Sequence, residues 1–195
     1  MNTNKTNIRY LTLTAMFAAL VTVTTAFITI GDGSGYTHPG DSIVYLSATV
    51  LPFPYGILAP AIGGFFADLL AGYPQWALIT AIIKALNALP FIIVNYLCNK
   101  KSYDAIGISS IESNNTKKIN RSNRIVRLPI IIVLIPSGII TVLGYSIANM
   151  FMIGYEYALA NIPVLCFQAL VGSILFVVFG IALDGIKFKE KFLHK

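Results

Sequence analysis

The chain has 195 residues, of which 56% are hydrophobic and 11% charged, with a mean hydropathy of +0.74. A soluble domain carries about a quarter charged residues, so a water-soluble globule and a multidomain enzyme are both excluded. The net charge of +6 would point to nucleic acid only if the basic residues shared one soluble face, and they do not.

Crossing a bilayer takes about 20 apolar residues per helix. On that measure the first helix runs from about Tyr10 to Ile30, followed by a polar loop, Gly31–Asp41. Ser42–Leu51 and Leu58–Leu70 are shorter apolar pieces separated by Pro52, Phe53, Pro54, Tyr55 and Gly56, which predicts two short or tilted helices joined by a tight turn. A fourth helix is expected over Trp76–Cys98, kinked at Pro90. A polar stretch from Asn99 to Arg127 precedes two more helices, Leu128–Ile153 and Asn161–Ile186. The fold class is therefore all-α, an integral membrane bundle of six transmembrane helices forming one domain. Its parts are a tail over residues 1–9, helices 1 to 4 over 10–98, a basic loop over 99–127, helices 5 and 6 over 128–186, and a second tail over 187–195. The first apolar segment is longer than a signal-peptide core and is expected to stay in the membrane. Cys98 and Cys166 are too few for a disulfide framework or a multi-thiolate zinc site, and are read as apolar packing residues.

Lysine and arginine sort to one side. Lys5 and Arg9 precede helix 1, seven basic residues occupy positions 100–127, and Lys187, Lys189, Lys191 and Lys195 follow helix 6; the connections at 31–41, 72–75 and 154–160 contain none. Positively charged loops stay cytoplasmic, so both termini are expected inside the cell, in a multi-pass protein of the plasma membrane. Anionic lipid accounts for the basic loop, and no nucleic-acid partner is expected.

Lys84 departs from this sorting. A charge inside a membrane helix costs about 3 kcal/mol or more unless paired or hydrated, and eight residues at about 1.5 Å each put Lys84 roughly 12 Å below Trp76. Trp76, Thr80, Lys84 and Asn87 share one helical face. Tyr145 and Asn149 on helix 5, and Gln168 on helix 6, offer polar groups at similar depth. These seven residues are read as lining an outward-facing, water-filled cavity for a small polar planar ligand; the simpler alternative is that Lys84 pairs with Asp41 or Asp68 to hold helices together. The loop adds Tyr36, His38 and Asp41 as a candidate lid, with Asp41 first a helix cap. Ala15 and Ala19, one turn apart, form a face on which another helix can pack closely. Neither a phosphate-cradling loop nor a catalytic elbow is present, and no metal site or bound cofactor is expected.

Taken together, Ala15–Ala19 within Ala-Met-Phe-Ala-Ala-Leu, the run Gly-Tyr-Thr-His-Pro-Gly-Asp-Ser at 35–42, Gly63-Gly64-Phe65-Phe66-Ala67-Asp68-Leu69-Leu70-Ala71-Gly72-Tyr73, Trp76-Ala77 and Ile83-Lys84 resemble the S components of energy-coupling factor (ECF) vitamin transporters. The resemblance spans the chain in pattern and residues 10–90 in motif. It implies a subunit that captures a vitamin outside the cell, with the first loop closing over the site. It also implies that Ala15 and Ala19 contact a transmembrane coupling subunit joined to two ATPases, which consume the ATP, and that the subunit moves by tilting in the membrane. The pattern looks closest to members associated with pyridoxine, then hydroxymethylpyrimidine, whose hydroxymethyl rings suit stacking on Tyr36 or Trp76 and hydrogen bonds from Thr80, Asn149 or Lys84. The competing expectation is a membrane-embedded enzyme with Lys84, Asp68 and His38 as acid and base groups.

Overall fold

The computed structural model describes residues 3–29, 37–108 and 124–193, and all of its regular elements are helices. They are α1 (Thr3–Ala26), α2 (Gly40–Val50), α3 (Tyr55–Leu70), α4 (Ala77–Ile108), α5 (Leu128–Met152), α6 (Tyr155–Gly185) and the short α7 (Phe188–Leu193). Four of these, α1, α4, α5 and α6, are long and apolar enough to cross a membrane, and α3 is a shorter apolar helix. Large apolar side chains cover their outer faces, among them Leu128, Ile135 and Phe151. A soluble protein does not expose apolar surface on this scale, and lipid is the solvent such a surface fits.

Three helices extend well beyond an expected boundary, although α1 also stops at Ala26, short of the expected Ile30. α1 begins at Thr3 rather than Tyr10, α4 continues to Ile108 rather than stopping at Cys98, and α6 begins at Tyr155 rather than Asn161. Hydropathy marks where a chain leaves lipid, whereas backbone hydrogen bonding continues through polar residues of adequate helix propensity. At α6 the start is set by Gly154, whose φ of 139° is open to glycine alone, and Glu156 in the first turn complements the helix dipole. Cys98 is half-buried and Cys166 exposed, both as free thiols, so Cys166 is a surface residue and not the packing residue expected.

α2 has 11 residues, every one of them buried, and it packs against α1, α3, α4 and α6. Small residues let the other helices close around it. A Cβ at Gly63 of α3 would lie 2.6 Å from the Ala18 carbonyl of α1, and this close approach lets the Thr22 hydroxyl donate to the Gly63 carbonyl at 3.0 Å. Gly63 and Ala67 are thus interior packing residues, whereas Ala15 and Ala19 lie exposed on the opposite face of α1.

Candidate functional site

Three helices give up their apolar character along one inward stripe. On α4 the stripe is Thr80, Lys84, Asn87, Phe91; on α5 it is Asn149, Tyr145, Thr141, Ser137; on α6 it is Tyr157, Asn161, Leu165, Gln168, Gly172, Phe176. Steps of three and four residues keep each set on one face. Because the three stripes face one another, the bundle interior is layered from one end to the other.

The first layer is a cavity of about 220 Å³. Its walls come from Trp76 just ahead of α4 and Thr80 within it, Tyr145 and Asn149 of α5 with Ile153 just past its end, and Tyr157, Asn161, Leu165 and Gln168 of α6; Thr25, His38, Asp68 and Tyr73 complete the lining. Aromatic rings and carboxyl, amide, imidazole and hydroxyl groups therefore converge on one half-open space, the arrangement of a small-molecule site. His38, in the connection ahead of α2, is pushed down to about 4 by burial and by the Lys84 ammonium, so its ring is neutral near pH 7.

The second layer closes the floor. Lys84 Nζ lies 3.1 Å from Asp41 Oδ1 with both side chains fully buried, and Gln168 Nε2 donates to Asp41 Oδ2 at 2.9 Å. Two glycines make the space: a Cβ at Gly64 would lie 2.6 Å from Lys84 Cδ, and one at Gly172 would lie 3.1 Å from Asp41 Cβ. Gln168 belongs to both layers, since it lines the cavity and holds the carboxylate beneath it.

Below the ion pair, Asn87 Nδ2 donates to Thr141 Oγ1 at 2.6 Å, and Ser137 Oγ donates to Asn87 Oδ1 at 2.7 Å. An aromatic layer follows, with Tyr45 stacked on Phe91 at 4.9 Å and Phe176 edge-on to both. The interior thus passes from polar cavity to ion pair to amide network to a dry aromatic seal.

Of the residues singled out in the sequence, His38, Trp76, Thr80, Tyr145, Asn149 and Gln168 meet around the cavity. Lys84 does not: its amine is sealed against Asp41, so the simpler alternative describes it, and the open cavity expected around the amine lies one layer above. Asp41 is not a cap either. α2 starts behind Pro39 with no side-chain cap, and the Asp41 carboxylate is directed across the bundle to Lys84 and Gln168. Asn87 is committed to Thr141 and Ser137, one layer further down. Tyr36, of the candidate lid, lies outside the described residues. Ala15 and Ala19 are on the outer surface of α1.

Asp68, Tyr73, Tyr157 and Asn161 line the cavity without having been singled out as ligand residues. Tyr157, Asn161, Leu165 and Gln168 recur at four- and three-residue steps, a signal hidden by starting the last helix at Asn161. Asp68 stood in the sequence as a rival partner for Lys84 and as an acid or base group of the competing enzyme reading.

Over residues 5–184 the sequence matches the family described as ECF-type riboflavin transporter, S component. No curated protein gives a significant match.

Proposed function

The chain belongs to the family of ECF-type riboflavin transporter S components, and on that premise we propose that it is the substrate-capturing subunit of an ECF importer, taking up a small heterocyclic vitamin outside the cell. The observation that carries the reading is the half-open cavity at the end of the bundle formed by the connections at 71–76 and 153–154. Those connections contain no lysine or arginine, while Arg124, Arg127, Lys187 and Lys189 gather at the other end, which supports an external cavity and cytoplasmic termini in the plasma membrane.

Size and polarity narrow the ligand. Sites for drug-sized ligands run from about 300 to 1,000 Å³, and 220 Å³ is smaller than that range. A single hydroxymethyl-bearing ring, pyridoxine-type first and hydroxymethylpyrimidine second, fits this scale with stacking on Trp76 and hydrogen bonds from Thr80, Asn149 and Gln168. Riboflavin is the second reading, favoured by the family's description. In this scheme the chain uses no cofactor of its own, and ATP is consumed by two partner ATPases through a transmembrane coupling subunit that packs on Ala15 and Ala19. An enzyme is the weaker reading: the Lys84 amine, its strongest candidate base, is held by Asp41 and does not line the cavity.

The sequence has one tryptophan, and it lines the cavity, so intrinsic fluorescence reports directly on occupancy. Titrating the purified protein with pyridoxine, hydroxymethylpyrimidine and riboflavin is expected to give saturable quenching by one of them, removed by Asn149→Leu and without chemical change to the ligand. Product formation by the isolated chain would refute the reading.

A further inference from the structure

Buried polar atoms in native proteins are nearly always hydrogen-bonded, and the exceptions call for a cause. Among the described residues, Thr25 Oγ1, Asp68 Oδ2 and Asn161 Oδ1 have no partner, and all of these residues line the cavity. Asp68 is the demanding one. Its side chain is 4% exposed, and a buried carboxylate needs a cation or several donors to be tolerated. Thr80 bonds to this side chain and the Lys84 ammonium acts on it, but that ammonium is already held 3.1 Å from Asp41, in a pair that is neutral as a whole. Neither lysine nor arginine is among the cavity-lining residues described.

Resting on the capture reading above, we propose that Asp68 is the charge-selecting residue of the site: it accepts an N–H from a protonated ring nitrogen or amino group of the ligand. The cavity then favours protonatable nitrogen heterocycles and rejects vitamins that carry a carboxylate. Three further features agree. The faces of Trp76, Tyr73 and Tyr145 attract a cation. The neutral His38 adds no positive charge to offset Asp68. A ligand carboxylate would bring a like charge beside Asp68 with no guanidinium or free ammonium to receive it.

The test follows Trp76 fluorescence in the purified full-length chain, titrated with pyridoxamine, pyridoxine, 4-pyridoxate and riboflavin. The expected order is amine tighter than alcohol, with the carboxylate weakest. Asp68→Asn is expected to weaken pyridoxamine by about tenfold or more, the worth of one hydrogen bond to a charged group, while narrowing the gap to 4-pyridoxate. If Asp68→Asn does not fold, the wild-type order decides alone, and 4-pyridoxate binding as tightly as pyridoxamine overturns the proposal. Riboflavin binding equally to wild type and variant, with no binding of pyridoxamine, overturns the role of Asp68 and leaves the capture reading standing. Failure of all four probes to bind the folded wild type overturns both.

Discussion

Lys84 and Asp41 are 43 residues apart in the chain and 3.1 Å apart in space, and the consequence of breaking that contact follows from their burial. Removing one partner of a buried pair leaves an uncompensated charge and costs about 3–5 kcal/mol, whereas replacing both by neutral groups of similar volume is often close to neutral. Lys84→Met is therefore expected to lower thermal stability in detergent sharply, because Asp41 retains Gln168 as its remaining side-chain donor. The double variant Asp41→Asn/Lys84→Met is expected to recover most of the loss. If the double variant melts as low as the single one, the pair is not what holds α2 against α4 and α6. That Lys84 must be neutralised was legible from the cost of a charge in a membrane helix. Its partner was not, since Asp41 and Asp68 are both carboxylates of nearby helices; the choice depends on the room left by Gly64 and Gly172, which only packing reveals.

At the scale of elements, α2 is the helix that depends most on its neighbours. Isolated helices shorter than about 12–15 residues are marginal in water, and α2 has 11, all buried. The last carbonyls of a helix lack intrahelical partners, and in the dry interior water cannot serve them. Asn95 of α4 does: its Nδ2 donates to the Ala48 carbonyl at 3.3 Å and the Thr49 carbonyl at 3.0 Å, while its Oδ1 accepts from the Arg127 guanidinium. Asp184 of α6 binds the backbone N–H groups of Ile125 and Val126 at 2.6 and 3.0 Å, so the start of α5 is tied to the same end. Asn95→Leu is expected to destabilise the fold by about 1–3 kcal/mol, the penalty for buried polar groups left unsatisfied, seen as a lower midpoint in thermal unfolding with ligand affinity unchanged. A variant as stable as the parent would show that these carbonyls find other donors. The apolar core of each helix was legible in the sequence, but the ends were not. Hydropathy stops at the membrane boundary, while α1 and α4 carry on through polar residues and α6 begins a turn and a half before Asn161. That early turn brings Tyr157 to the cavity, so an error in an element boundary became an omission in the site.

For the molecule as a whole, the layered interior gives the bundle a direction that its apolar outer surface conceals. Moving inward from the cavity, the layers are first the aromatic and amide walls, then the sealed ion pair, then the network of Asn87, Thr141 and Ser137, and finally Tyr45, Phe91 and Phe176. A solute entering at the cavity end meets no polar path through the aromatic layer, so the static fold suits holding a ligand and not conducting it. On the capture reading proposed above, passage would require motion of the subunit against a partner, and Ala15 and Ala19 are exposed on the outside of α1 while Gly63 and Ala67 are buried inside. The sidedness is testable apart from any ligand. In a Cys98→Ala/Cys166→Ala background, Gln75→Cys introduces a thiol at an exposed position of the cavity end and Arg124→Cys one at the basic end. A membrane-impermeant maleimide added to intact cells is expected to label Gln75→Cys and to reach Arg124→Cys only after permeabilisation. The reverse pattern would put the cavity inside the cell. Capture from the exterior would then be excluded, however well the site fits its ligand, because the positive-inside argument and the site geometry would point in opposite directions.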